Sequence, residues 1–139
     1  MSIDKNRQEA HRWMRTALDD LHTARILRDN AKFAHSCFHS QQAGEKALKA
    51  LWHDYDADPW GHSLKKLLDE LAGIDKTVHE QFKLLHREAL VLDRYYIPTR
   101  YPNGLPDITP DMAFEDVDAA LCMEYAQKIV DFVRNIIEY

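Results

Sequence analysis

The chain has 139 residues, 45% of them hydrophobic and 29% charged, with a net charge of −5. That balance supports one domain with a real core and excludes a disordered polymer. It also argues against a general coat for duplex DNA, which needs a basic face, while leaving room for a local basic cleft. No apolar run approaches the roughly 20 residues that span a bilayer. The opening MSIDKNRQEAHRWM holds no signal-peptide core, and Cys37 and Cys122 lack metal-type spacing. These features predict a cytoplasmic protein with reduced core thiols.

A first helix is predicted over residues 4–28, with Asp4 as its cap and Ala10, Trp13, Ala17, Leu21, Ala24 and Leu27 as its inner stripe. Asn30 marks the break. The second helix, residues 32–55, organises the rest. It has no Pro, it is rich in helix formers, and its stripe reads Ala34, Cys37, Phe38, Gln41, Gly44, Leu48, Leu51, Trp52 and Tyr55. Gly44 costs about 1 kcal/mol in a helix interior; either a neighbouring backbone comes close there or the residue has no packing role. Beside the stripe lie Gln41, Gln42, Glu45, Lys46 and Lys49, read either as a solvated face or as one wall of a charged cleft.

Pro59 and Gly61 punctuate the next break, where Trp52 and Trp60 are candidate interface or end-cap aromatics. Ser63 can cap a short third helix, residues 64–71, and Asp75 can start a fourth over residues 76–95, with Val78, Phe82, Leu85, Ala89 and Leu92 inside. Residues 95–110 contain four prolines and Asn103-Gly104, so no helix is expected there, and a long loop of this kind is often functional. The last helix starts at Thr109-Pro110 or a few residues later. Its stripe is Phe114, Val117, Leu121, Tyr125, Ile129, Phe132 or Val133, and Ile136. The prediction is a single all-α domain over residues 1–139: an antiparallel up-and-down helical bundle of four long helices plus one short, with a Pro-rich loop before the last helix.

In order and spacing, several pieces resemble the HEPN family, the nucleotide-binding domain of higher eukaryotes and prokaryotes. They are Trp13 in a long first helix, QQAGEKALKAL at residues 41–51, Gly61-His62-Ser63-Leu64, and Arg100-Tyr101-Pro102 in the Pro-rich loop. The resemblance implies a homodimer, binding of a nucleotide or RNA, and a minimal nucleotidyltransferase as partner protein in a toxin–antitoxin-type pair. Many members are metal-independent RNases marked by an Arg and a His with four to six residues between them, near a late helix. Here no His follows Arg87, Arg94 or Arg100 at that spacing. The pairs Arg15/His22 and Arg28/His35 fall in the first two helices, where chance supplies them. Binding without cleavage is therefore expected, and no catalytic residue is assigned. An endoribonuclease toxin and a ligand-free structural dimer are the alternatives.

The nucleotide-binding candidates are Lys46, Lys49, His62, Arg94, Tyr95, Arg100 and Tyr101. Arg100, held between prolines, suits bidentate phosphate binding, or else it anchors the loop. Tyr95, Tyr96 and Tyr101 can stack on a base or plug the bundle end. Lys46 and Lys49 can act as point charges for phosphate. His62, just before a helix start, either holds its turn or meets an anion. His35 and His39 have chelating spacing but no evident third ligand, so neither a metal nor a cofactor is expected. Asp19-Asp20 reads as solvated charge. The binding hypothesis requires Lys46, Lys49 and Arg100 to meet at one shared hollow.

Overall fold

Buried residues occupy almost the whole circumference of the second helix in the computed structural model, which describes residues 3–139. This helix, α2 (Phe33–Asp54), packs between α1 (Ile3–Asp29) and α7 (Asp116–Ile137). The shorter α3 (Leu64–Glu70) and α5 (His86–Asp93) cover its remaining apolar side, α4 (Lys76–Phe82) packs on α3 and the turn that follows it, and α6 (Pro110–Ala113) is a single turn before α7. The architecture is the expected all-α up-and-down bundle, and no strand occurs among the described residues.

The sequence of α2 explains its central place. Ser36, Ser40, Ala43, Ala47 and Ala50 share one side, which the Ser36 Oγ bond to the Ala24 carbonyl (2.7 Å) fixes against α1. Ala10, Ala17 and Ala24 of α1, which packs on α2, are also small and fully buried, so the two backbones can approach closely. On the other side, a Cβ added to Gly44 would lie 2.7 Å from Leu64 Cδ2 and 3.3 Å from Leu92 Cδ1. Gly44 thus admits side chains from α3 and α5, not a neighbouring backbone.

Several sequence expectations need correction. Asp4 lies inside the first turn of α1, where its charge suits the helix dipole but where it cannot be the cap. The buried stripe of α1 passes through Met14, while Trp13 is only half-buried. The predicted fourth helix divides at a 3₁₀ turn, Lys83–Leu85, into α4 and α5. The spacing Val78, Phe82, Leu85, Ala89, Leu92 suits one long helix as well as two short ones, so periodicity cannot see the break. The buried face of α7 is Ala119, Cys122, Ala126, Ile129, Val130, Val133 and Ile137, and Val117 is 70% exposed. Ile129 and Val133 of the predicted stripe are fully buried as expected, whereas the first half of the face is made by the small residues Ala119, Cys122 and Ala126 in place of the larger ones predicted.

The caps at Ser63 and Asp75 form as expected, accepting from the amides of Lys66 and Val78 at 3.1 Å each. The Pro-rich loop is folded back on itself. Thr99 is fully buried and donates to the Tyr95 carbonyl, the Tyr101 amide bonds the Ile97 carbonyl at 3.2 Å, and Pro102–Gly104 forms a 3₁₀ turn.

Candidate functional site

The polar band of α2 is not solvated. Glu45 is 3% exposed, and a carboxylate so deep must be paired. Lys49 Nζ lies 3.2 Å from it, Gln41 Nε2 3.3 Å and His62 Nδ1 3.4 Å. Gln41 also donates to the His62 carbonyl at 3.2 Å, which pins the turn before α3 onto α2. One residue on from Glu45, about 100° round the helix, Lys46 Nζ meets Asp20 of α1 at 2.7 Å, and His39 Nδ1 lies 3.3 Å from the same carboxylate. Burial works to raise the Asp20 pKa. The hydrogen bonds from His39 and Lys46 outweigh it and hold the group below the usual carboxylate range. Asp20, read from sequence as solvated charge, is therefore a half-buried link between α1 and α2.

Arg100 is built differently. Its Nε donates to the Tyr96 carbonyl at 2.9 Å, and its guanidinium carbon lies 4.3 Å from the Tyr96 ring centroid, 4.6 Å from Phe38 and 5.0 Å from Tyr101. Among the described residues no carboxylate pairs with it. The His62 imidazole stacks on the same Tyr96 ring at 4.8 Å with planes 17° apart. Arg100, Tyr96, His62, Glu45 and Lys49 thus form a chain of direct contacts along one side of α2. Chemically it offers a preorganised cation with free in-plane donors, an exposed Tyr101 ring, and an imidazole beside a carboxylate.

The lysines and Arg100 do not share a hollow, so the single pocket expected from the sequence does not form, and binding has to rest on Arg100 and its neighbours without Lys46. Lys46 borders a cleft of about 530 Å³ against α1, with Arg12, Trp13 and Arg15. Lys49 borders one of about 270 Å³ with Trp13, His53 and Trp60. Arg100 borders neither; its connection to Lys49 runs through His62 and Glu45. Arg94 and Tyr95 lie apart from this strip. Tyr95 Oη donates to Asp118 at 3.1 Å, and its ring sits 5.6 Å from that of Phe114. Burial, then the nearby thiol and carboxylate, push its phenol well above the ordinary range. Arg94 is exposed at the edge of a third cavity, about 370 Å³, between α5, the loop and α7.

Glu45, Asp20 and Phe38 are not among the binding candidates read from sequence, although Glu45 stands in the polar band that could wall a charged cleft. Glu45 had one signal, its place on the ladder Gln41, Glu45, Lys49; Asp20 had none, because a buried and a solvated aspartate look alike in sequence. No cluster of three or more His, Cys, Asp or Glu suited to a metal occurs among the described residues, and His39 is engaged with Asp20 instead.

The sequence profile of the HEPN domain matches residues 10–136. No curated protein matches the chain. Among solved structures, TT1696 from Thermus thermophilus is 34% identical, with a TM-score of 0.81 over 91% of this chain and 97% of its own. The archaeal HEPN homologue ST0689 is 29% identical, with a TM-score of 0.75 over 93% and 98%. The HEPN domain protein tm0613 from Thermotoga maritima is 31% identical, with a TM-score of 0.69 over 92% and 98%. With the profile spanning nearly all of the sequence and the same helical bundle recurring in these structures, the chain belongs to the HEPN domain family.

Proposed function

We propose that this HEPN domain binds a nucleotide or RNA at the Arg100–Tyr96–His62 cluster, as a homodimer and as the accessory partner of a minimal nucleotidyltransferase. One observation carries the reading: Arg100 is held among three aromatic rings by a single hydrogen bond and has no carboxylate to neutralise it. A guanidinium fixed in this way keeps donors free for two parallel bonds to a phosphate and loses little side-chain entropy on binding. Tyr101, 48% exposed, offers a face on which a base can stack. Lys49 adds charge at one remove, though the carboxylate of Glu45 offsets much of it, and the His62 ring adds a polar face. The test is titration of the protein with AMP, GTP and a short single-stranded RNA, followed by calorimetry. Arg100→Ala should abolish binding, and Arg100→Lys should restore little of it because a point charge cannot replace the fork. Undiminished binding by Arg100→Ala overturns the reading.

A second reading, the endoribonuclease, draws on one specific observation. Although the Arg–His motif is absent from the late helices, His62 and Arg100 meet on the ring of Tyr96, with Glu45 behind the imidazole. An imidazole held by a carboxylate beside an unpaired guanidinium has the parts for proton transfer and phosphate stabilisation. RNA cleavage in EDTA that disappears in His62→Ala would favour cleavage over binding alone.

A further inference from the structure

We propose that the cavity between α5, the Pro-rich loop and the start of α7 is a second binding site, for an organic anion with a compact apolar body and a carboxylate or phosphate head. Its volume, about 370 Å³, lies within the range of small-molecule pockets. Val91, Leu105, Phe114 and Leu121 line its interior. The polar groups at its edge are two guanidiniums. Arg87 and Arg94 stand seven residues apart, so they lie on the same face of the helix, separated by about 10 Å of rise, with Val91 between them. Neither forms an ion pair: Arg87 Nε meets the Tyr125 hydroxyl at 3.3 Å and feels Glu88 only at longer range, and the Arg94 side chain has no bond to any described residue. Two arginines outside any ion pair, at the mouth of an apolar slot, select an anion whose remaining surface is greasy.

The same walls disfavour a nucleotide. The Tyr95 hydroxyl is already spent on Asp118, and the other side chains of the interior are apolar, so a ribose would leave its hydroxyls unpaired. The cavity is also preformed. Tyr95 is fixed by Asp118 and Phe114, the Leu105 amide bonds the Pro102 carbonyl at 3.0 Å, and a Cβ on Gly104 would lie 3.5 Å from Pro98 Cα. A ligand entering it orders little.

Calorimetric titration with 2-naphthoate, 2-naphthyl phosphate and the neutral 2-naphthol tests this. The two anions should bind one per chain, about tenfold or more tighter than naphthol, as one charge-assisted contact to arginine requires. Whichever anion binds tighter identifies the head group. The double variant Arg87→Gln/Arg94→Gln should reduce both anions to the level of naphthol, and Leu121→Trp, which fills the slot, should abolish all three. Equal binding of anions and naphthol overturns the proposal, as does full competition by inorganic phosphate. So does an arginine variant that changes only the sedimentation mass, which would assign the surface to contact between copies. The proposal stands apart from the Arg100 cluster: Arg100→Ala should leave naphthoate binding intact.

Discussion

Two groups of cations in this molecule carry the same charge and have opposite surroundings. Lys46 and Lys49, on the central helix, each end on a carboxylate: Asp20 at 2.7 Å and Glu45 at 3.2 Å. Arg87, Arg94 and Arg100, on α5 and the loop after it, have no carboxylate partner among the described residues. A paired lysine near the core joins helices; its field is cancelled a few ångströms away. An arginine outside any ion pair contributes less to folding and keeps most of its field for something outside the chain. Placement in the fold therefore separates structural from available charge, which sequence composition cannot do.

The largest effect should come from the buried end of the lysine group. Glu45→Ala removes the acceptor for Lys49, Gln41 and His62 together and leaves the Lys49 ammonium, 13% exposed, without its partner. Unfolding in urea should show a loss of about 3 kcal/mol, the scale of a broken buried pair. A variant as stable as the parent would mean that water already serves Lys49, and the contrast with the arginines would weaken.

Asp20→Asn should come next, at about 1–2 kcal/mol near neutral pH, since it loses the charge that His39 and Lys46 both face. The pH dependence gives the sign. The folded carboxyl titrates below its unfolded value, so as the pH falls the unfolded chain takes up the proton first. The stabilisation is complete above the unfolded pKa, near 4, and is lost as the pH drops through the lowered folded one. Melting curves of parent and Asn variant should therefore differ at pH 6 and converge toward pH 3. A constant difference across that range would place the loss in shape instead of charge.

How much of this could be read from the letters depends on whether the cause is local. The Ser63 and Asp75 caps could be, because each acts within three residues of itself. Likewise the stripe of α2 could be read, because burial on a helix has a period. The division of α4 from α5 could not, since both arrangements share one period. Nor could the true face of α7, where Ala119, Cys122 and Ala126 owe their burial to how closely α7 lies on α2. The site divides in the same way. Arg100 stood out through its proline setting. The burial of Glu45 and the joining of Tyr96 to His62 are made by elements that meet only after folding.

Within the arginine group, Arg100→Ala should cost about 1 kcal/mol or slightly more, because the guanidinium touches three rings and holds one carbonyl. This separates anchor from ligand group. If the loop depended on Arg100, melting would fall as far as in Glu45→Ala while binding of AMP or RNA stayed unchanged. A small loss of stability with a complete loss of binding is the expected pattern.

Arg94→Ala should change stability least, by no more than about 0.5 kcal/mol, as for an exposed residue without a partner. A near-zero result is informative because it completes the contrast with Lys46 and Lys49. Arg94 follows the last residue of α5, where a cation gains modestly from the helix dipole, so that contribution should vanish as salt is added. Stability equal to the parent at high salt, together with weaker binding of naphthoate at every salt concentration, would show that the charge faces outward. A loss that persisted in high salt would mean that the Arg94 side chain packs against the wall of the cavity, and the open charge of this region would then rest on Arg87 and Arg100.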